Sequence, residues 1–189
     1  MKTIADALQH AAANHGDRLA LVCDEHRLGY DVLIDRCRRL GAALSEIGCR
    51  PGDRVAILAA NSHRYIESYV ATPAAGFAIV PLNTRHADAE LAYALTDCEP
   101  KVLLTDRDPG ELGDLVEHVI RLPDEYEDLL AGATALDPTP GIDEDTLAGI
   151  FYTGGTTGAS KGVMLSHGNL MANTRHFSVL SEPTPDDAF

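Results

Sequence analysis

The stretch "PGDRVAILAANSHRYIESYVATPAAGFAIVPLN", residues 51–83, decides the fold of this chain of 189 residues. Its first apolar run, "RVAILAA" (54–60), is so continuous that it indicates a strand covered on both faces. "SHRYIESYVATPAAG" (62–76) has the spacing of a helix, with Ser62 as its N-cap, and "FAIVPLN" (77–83) is a second apolar strand. Strand, helix and strand in this order predict a βαβ unit with parallel strands.

The pattern continues along the chain. "DAELAYALTDC" (88–98) predicts a helix capped by Asp88, and "KVLLTD" (101–106) predicts the next buried strand. The fold class is therefore α/β, with a largely parallel sheet across about 53–106 that is flanked by helices.

The flanking regions carry further elements. We expect helices at 3–13 and 31–48, and between them a strand at 18–24 that pairs with "HRLGY". A short helix, a strand at "HVIRL" and a helix at "DEYEDLLAG" follow residue 106, and then an exposed acidic Pro/Gly connector at 133–146. "LAGIFYT" (147–153) and "GVMLSH" (162–167) predict two strands around a loop, before a final helix.

Composition excludes several classes of function. The chain has 15 basic and 29 acidic residues, a net charge of −14, so it lacks the cationic surface of a non-specific nucleic-acid binder. No apolar run is long enough to span a bilayer. The four cysteines form no CxxC pair, which predicts reduced thiols and a cytoplasmic location. Eight histidines form no HxH or HExxH, so we expect no metal site built from this chain alone.

The loop "YTGGTTGASKGV" (152–163) is the strongest functional signal. It fits neither GxxxxGK[ST] nor GxGxxG, and it runs from one strand into another rather than into a helix. Glycines let backbone N–H groups approach an anion, hydroxyls donate further, and one lysine supplies charge. These residues favour polyphosphate binding over a loop without ligand; the candidates are Thr153, Gly154, Gly155, Thr156, Thr157, Gly158 and Lys161.

The same loop resembles the phosphate-binding signature of the acyl-adenylate-forming (AMP-binding) enzymes, Tyr-Thr-Ser-Gly-Thr-Thr-Gly-x-Pro-Lys-Gly-Val. Here Gly154 replaces the serine and Ser160 replaces the proline, and the second departure bears on the affinity of the loop. Residues 39–62, 74–86 and 89–106 resemble successive N-terminal segments of acyl-CoA synthetases, including fatty-acid–CoA ligases. "LSHGNLMAN" also follows the loop as it does in that family.

The resemblance implies an enzyme of fatty acid metabolism that uses ATP, Mg²⁺, coenzyme A and a carboxylic acid. In members of that family, the residues that bind adenine, ribose and magnesium, and the catalytic lysine, come after the position that corresponds to Phe189. We therefore expect residues 1–189 to be the N-terminal part of the large domain, with no catalytic residue or metal ligand of its own. The isolated chain should be inactive and should self-associate through Leu170, Met171, Phe177 and Leu180, left uncovered on the last helix.

Other readings remain open. A carrier-protein thiol could replace coenzyme A as acceptor, or this part alone could be a non-catalytic nucleotide-binding or interaction module. His167 with Asn169 could be functional, but Ser166 or His167 is at least as good a helix cap. For Asn83 and Arg85, which follow a strand, a loop-fixing role is favoured over ligand binding.

Overall fold

The computed structural model describes residues 1–136, 141–154, 160–182 and 184. The strands in chain order are β1 (Leu19–Cys23), β2 (His26–Gly29), β3 (Arg54–Leu58), β4 (Ala78–Pro81), β5 (Val102–Thr105), β6 (His118–Arg121), β7 (Leu147–Thr153) and β8 (Lys161–Ser166). The helices are α1 (Ile4–His15), α2 (Tyr30–Glu46), α3 (His63–Ala74), α4 (Asp88–Cys98), α5 (Asp124–Gly132) and α6 (His167–Ser181), with a 3-10 helix at Gly110–Leu115.

Six of these strands form one sheet in the order β6-β5-β3-β4-β7-β8. β3 pairs in parallel with β4 and β5, β5 with β6, and β4 with β7, whereas β8 runs antiparallel to β7. The predicted α/β class, and the placement of "RVAILAA" and "KVLLTD" in one parallel sheet, are confirmed. β1 and β2 pair with each other, as predicted, and form a separate antiparallel sheet.

The continuous apolar runs are explained by helices on both faces of the sheet. On one face, Val55 and Ile57 pack in a core shared with α2, α3 and α5. On the other face, Ala56 and Leu58 pack with residues of α4 and the 3-10 helix. All four side chains are fully buried, so neither face of β3 contacts solvent, and its sequence shows no alternation of apolar and polar residues.

A partly buried ion network joins three helices on the first face. The Arg36 guanidinium of α2 contacts Glu67 Oε1 of α3 at 2.6 Å and Glu127 Oε2 of α5 at 3.0 Å. Arg64 Nε lies 2.6 Å from Glu127 Oε1, and the Tyr126 hydroxyl donates to Glu67 Oε2 at 2.8 Å. Glu67 is fully buried, and its carboxylate is stable there because charged and hydroxyl donors surround it.

The helix caps differ in one case from expectation. Ser62 caps α3 as predicted, since its hydroxyl accepts the Tyr65 N–H at 3.2 Å. Asp88 is not the cap of α4, and that prediction was wrong. The N-cap position is Ala87, whose own N–H is bound by Glu90 Oε2 at 2.9 Å. Asp88 therefore lies in the first turn of the helix, where a carboxylate still favours the helix dipole.

The predicted connector at 133–146 is only partly within the described residues, because 137–140 fall outside them. Ala133 is buried, whereas Leu136 is exposed. Asp143 accepts the Thr146 N–H at 2.9 Å, which shapes the turn before β7. The role of this segment as a connector stays a prediction. In the described part of the chain, no helix has the length and apolar character needed to cross a membrane.

Candidate functional site

The carboxyl ends of the parallel strands lie together on one side of the sheet, and the two ends of the glycine loop, Thr153 and Lys161, lie there too. β4 and β7 are in register at Ile79 and Gly149. Two further residues along each strand place Phe151 level with Pro81, where β4 ends. β7 continues to Thr153, so the loop begins beyond the carboxyl ends of the neighbouring parallel strands, where open α/β folds bind their ligands.

The two ends of the loop are held side by side. Thr153 and Lys161 face each other in the β7–β8 register. The Ser160 hydroxyl donates to the Thr153 carbonyl oxygen at 2.6 Å, and Thr153 Oγ1 donates to the Lys161 carbonyl oxygen at 3.5 Å. Ser160, which stands where the resembling family has proline, thus closes the neck of the loop with a hydrogen bond.

Lys161 places a positive charge at the base of the loop. Lys161 is exposed at the start of β8, and no carboxylate of the described residues forms an ion pair with its ammonium group. Gly154 is exposed too, with nothing near the position where a Cβ would lie. Among the predicted site residues, Gly155, Thr156, Thr157 and Gly158 fall outside the described residues, so the phosphate-binding assignment stays a prediction.

Tyr152 and Asp97 were missed by the sequence reasoning. The Tyr152 hydroxyl lies 2.6 Å from Asp97 Oδ2, on α4, although 55 residues separate the two in sequence. No local pattern connects positions so far apart. The one available signal is the alternation of β7, which sends Ile150 and Tyr152 to the same face of the sheet as α4.

Polar groups after the other parallel strands stabilise the turns. After β4, Asn83 Oδ1 accepts the Arg85 N–H at 3.0 Å, which confirms the expected loop-fixing role of Asn83. After β5, Asp106 Oδ2 accepts the Ala60 N–H at 2.7 Å and so ties together the ends of β5 and β3. Arg107 pairs with Asp88 at 3.5 Å across an exposed surface.

Ser166, the last residue of β8, caps α6. Ser166 Oγ accepts the Asn169 N–H at 3.3 Å, and Asn169 Oδ1 accepts the Ser166 N–H at 3.0 Å, which confirms the capping interpretation for Ser166. His167 is fully buried, and its Nδ1 accepts the Ile4 N–H of α1 at 3.1 Å. Burial lowers the pKa of His167, which favours the neutral ring. We therefore interpret His167 as a structural residue rather than a general acid.

The buried thiols are poor candidates for nucleophiles. All four cysteines are free, and Cys37, Cys49 and Cys98 are buried. Burial raises the pKa of Cys49 to about 11 and that of Cys98 to about 11, which keeps both as thiols at neutral pH. Among the residues that the structure describes, no group of three or more His, Cys, Asp or Glu side chains could hold a metal ion.

Comparison with known proteins places this geometry in a family context. The family model described as "AMP-binding enzyme" matches residues 8–189. The chain is 35% identical over 185 residues to the long-chain-fatty-acid–CoA ligase of Thermus thermophilus, covering 89% of this chain and 34% of the ligase. It is 29% identical over 178 residues to the fatty acid–[acyl-carrier-protein] ligase ScoC of Streptomyces coeruleorubidus, covering 91% and 34%.

A solved structure shows the same fold. The crystal structure of ATP-bound MatB from Rhodopseudomonas palustris superposes with a TM-score of 0.88 at 34% identity, covering 98% of this chain and 39% of that one. The chain thus spans about a third to two-fifths of the length of these relatives.

Proposed function

The chain belongs to the AMP-binding enzyme family, and from this premise we propose that it is the phosphate-binding N-terminal part of an ATP-dependent carboxylate–CoA ligase. A carboxylate oxygen attacks the α-phosphorus of ATP, the bond from that phosphorus to the bridging oxygen breaks, and pyrophosphate leaves. The thiol of coenzyme A then loses its proton and attacks the acyl carbon. The thioester forms, and AMP leaves with the bonding electrons.

The observation that carries this proposal is the placement of the two ends of the loop: Thr153 and Lys161 lie side by side, beyond the carboxyl ends of the parallel strands. Lys161 is exposed there and forms no ion pair with a carboxylate of the described residues. Negative charge grows on the leaving pyrophosphate as the bond breaks. A fixed ammonium group and fixed backbone N–H groups stabilise that charge more in the transition state than in the bound ATP. We assign this role to Lys161.

The other loop residues follow from the signature. The Thr153 hydroxyl makes only a long contact of 3.5 Å with the Lys161 carbonyl oxygen and would turn to donate to a phosphate instead. At Gly154 nothing lies within 4 Å of the position of a Cβ, so this side of the backbone is open to an anion. Gly155, Thr156, Thr157 and Gly158 would donate backbone and hydroxyl hydrogen bonds to the β- and γ-phosphates. No side chain in this set can act as a base, so its contribution is binding and charge stabilisation.

The remaining substrates and the metal are assigned elsewhere. Since the described residues offer no metal-binding cluster, Mg²⁺ would be held by residues outside this set. The carboxylic acid and coenzyme A would likewise meet later parts of the enzyme. The free thiols support the proposed cytoplasmic location, because disulfides are rare in that compartment.

A carrier-protein thiol is the second candidate acceptor. The similarity to the acyl-carrier-protein ligase ScoC, at 29% identity, supports it. The two acceptors share the first half-reaction and differ only in the second. Adding coenzyme A or a phosphopantetheinyl carrier protein to preformed acyl-adenylate, and measuring which thiol releases AMP, separates them.

We further propose that this chain alone forms no acyl-adenylate and self-associates. Positioning both reactants supplies several kcal/mol of a two-substrate barrier, and the loop alone positions only one of them. Of the four residues in the predicted apolar surface, Phe177 and Leu180 are exposed on α6, Leu170 is half-buried and Met171 is buried, which corrects that surface. Light scattering on the isolated chain tests the association, and carboxylate-dependent exchange of pyrophosphate into ATP tests the inactivity.

The central experiment is Lys161→Ala in the complete enzyme, measured by carboxylate-dependent ATP–pyrophosphate exchange. One charge-assisted contact to phosphate is worth about 1.5–3 kcal/mol, so the exchange rate should fall on the order of tenfold to a hundredfold. Lys101→Ala is the matched control. Lys101 directly precedes β5, at the amino ends of the parallel strands and away from the loop, where it pairs with Glu117 at 3.4 Å.

The proposal fails if Lys161→Ala exchanges at the wild-type rate, or if Lys101→Ala is equally impaired. A complete protein that shows no carboxylate-dependent exchange, but still binds nucleotide, would favour the non-catalytic module.

A further inference from the structure

Tyr152 connects the loop base to the helix layer beside it. It lies on β7 directly before Thr153, and its hydroxyl oxygen is 2.6 Å from Asp97 Oδ2 and 3.2 Å from the Ala94 carbonyl oxygen, both on α4. A phenol has one proton to donate. The shorter distance and the charge of the carboxylate indicate that the phenol donates this hydrogen bond to Asp97.

The ring of Tyr152 also covers the second strand of the loop. Tyr152 and Gly162 face each other in the β7–β8 register. A Cβ at Gly162 would lie 3.2 Å from Tyr152 Cζ and 3.4 Å from its hydroxyl oxygen, so the ring rests on the glycine backbone. Gly162 directly follows Lys161. Tyr152 therefore adjoins Thr153 along the chain, and its ring contacts Gly162, the neighbour of Lys161.

This tether matters because the end of β7 has little other support. Among the described residues, β7 pairs with β4 only at Gly149, four residues before Thr153. On the opposite face, Phe151 meets Tyr69 with ring centroids 6.1 Å apart, a ring contact that includes no hydrogen bond. β8 lies at the edge of the sheet and has no further strand beside it among the described residues.

We propose that Tyr152 and Asp97 are positioning residues for the phosphate loop, holding Thr153 and Lys161 at the separation and orientation that a polyphosphate requires. This inference rests on the proposed function of the loop and extends it to a residue on a different helix. Neither side chain touches the phosphates in this scheme. Their effect passes through the ends of the two strands.

The hydrogen bond is available across the pH range of an enzyme assay. Burial, together with the hydrogen bond to Asp97, raises the pKa of Tyr152 well above its usual range, so the phenol stays protonated and remains a donor. Asp97 is exposed and hydrated, which limits the net contribution of the bond.

The test compares Tyr152→Phe, Asp97→Ala and Asp97→Asn in the complete enzyme by ATP–pyrophosphate exchange. Tyr152→Phe keeps the ring over Gly162 and removes only the hydroxyl. Loss of one such bond should raise the KM for ATP about threefold to tenfold, with the KM for the carboxylic acid changed less than about twofold. Asp97→Asn retains an acceptor oxygen and should recover most of the loss that Asp97→Ala causes.

Tyr93→Phe is the matched control, since Tyr93 is an exposed tyrosine on the same helix, four residues before Asp97. It should leave both KM values unchanged. An unchanged KM for ATP in Tyr152→Phe, or equal rises for ATP and the carboxylic acid, would overturn the positioning role in favour of a general effect on folding.

A second readout separates this inference from the proposed function. Hydrogen exchange by mass spectrometry should show faster exchange at 152–154 and 160–163 in Tyr152→Phe and Asp97→Ala, and none of that change in Tyr93→Phe. If the wild-type enzyme shows no exchange of pyrophosphate, the proposed function fails while this measurement still decides the tether. If both segments exchange hydrogen at the wild-type rate in Tyr152→Phe and in Asp97→Ala, the positioning role of Tyr152 and Asp97 is refuted.

Discussion

The two halves of the six-stranded sheet are built from similar apolar strands but are held in different ways. In the half formed by β6, β5, β3 and β4, helices cover both faces, and Val55, Ile57 and Leu104 are fully buried. In the half formed by β7 and β8, Val163 and Met164 are exposed. The register between the two halves has one pair, Ile79 with Gly149.

This difference separates the scaffold from the site. The first half is fixed by many contacts, so no single side chain at its surface should matter greatly. The second half carries the phosphate loop on a few identifiable contacts, namely Tyr152 with Asp97 and Ser160 with Thr153. We therefore expect substitutions in the first half to change the free energy of unfolding, and those near the loop to change the handling of ATP.

The largest expected effect is at Glu67, the fully buried member of the ion network in the first half. Glu67→Ala removes the fully buried carboxylate that accepts from Arg36 and Tyr126. Arg36 keeps its contacts with Glu127, but the Tyr126 hydroxyl and the Arg36 Nε–H both lose their acceptor. A buried donor without a partner costs about 1–3 kcal/mol, so the free energy of unfolding should fall by about 2–4 kcal/mol in urea titrations.

Glu127→Ala is the control for this prediction. Glu127 binds Arg36 and Arg64, but its side chain is 36% exposed, and water can replace it. The expected loss is about 1 kcal/mol or less. Equal losses for Glu67→Ala and Glu127→Ala would show that burial does not set the importance of these carboxylates, and the proposed contrast between core and surface would fail.

The junction of the two halves should be sensitive to volume. A Cβ at Gly149 would lie 2.8 Å from the Ile79 carbonyl oxygen and 2.9 Å from Phe151 Cε2, so Gly149→Ala must push β7 away from β4. Overpacking of this kind costs about 1–3 kcal/mol of unfolding free energy, measured by the same titration. Because β7 also carries the loop, the KM for ATP should rise in the complete enzyme.

Gly132→Ala is the matched control at the end of α5, where nothing lies within 4 Å of the added Cβ. It should be neutral or slightly stabilising, because alanine favours a helix over glycine. A wild-type stability for Gly149→Ala would mean that the two halves of the sheet adjust freely to each other.

The scaffold was predictable from sequence, and the reason is physical. A strand buried on both faces, such as β3 or β5, leaves an apolar run that few other structures require. The strands on both sides of the loop were likewise predicted with bounds close to those observed, because glycines and hydroxyls interrupt the apolar pattern sharply. The site beyond its loop was less accessible: Asp97 and Glu67 are charged residues on helices, and nothing local distinguishes them from surface carboxylates.

The cap of α4 shows the same limit on a smaller scale. Asp88 has the composition of an N-cap, but the chain places Ala87 there and satisfies its N–H with Glu90. Which residue takes the cap depends on the backbone angles that follow from packing of the preceding turn. Those angles are not written in the sequence around residue 88.

A smaller effect is expected from pH. Burial lowers the pKa of His63 and of His167 below the ordinary value of 6.5, with opposition from Glu67 at His63 and from Asp143 and Asp6 at His167. The unfolded chain therefore binds more protons than the folded one just below pH 6.5. Stability should be greatest above that pH and should fall as the pH drops from about 6.5 toward the lowered pKa values.

His167→Asn should flatten this dependence, because an amide oxygen can accept the Ile4 N–H without titrating. His10→Asn, at an exposed position of α1, is the control and should keep the wild-type slope. Unfolding midpoints between pH 7.5 and 5.5 test this, and identical slopes for wild type and His167→Asn would remove His167 from the explanation.

The smallest expected effect concerns the neck of the loop. Ser160→Ala removes the hydrogen bond to the Thr153 carbonyl oxygen, an exposed bond whose loss should leave the free energy of unfolding within about 0.5 kcal/mol of the wild type. The KM for ATP should nevertheless rise about twofold to threefold, because the strand ends at Thr153 and Lys161 gain freedom. Ser160→Pro loses the same hydroxyl but fixes one backbone angle, so it should lie between Ser160→Ala and the wild type.

Ser45→Ala is the control for this comparison, since Ser45 Oγ also donates to a backbone carbonyl, that of Gly41, at 3.0 Å and on α2, away from the loop. It should not change the KM for ATP. If Ser160→Pro instead exceeds the wild type in affinity for ATP, restriction of the backbone outweighs the hydrogen bond, and serine is the weaker closure of this neck. If Ser160→Ala equals the wild type, the hydrogen bond at 2.6 Å does not position the loop at all, and the tether through Tyr152 carries that role alone.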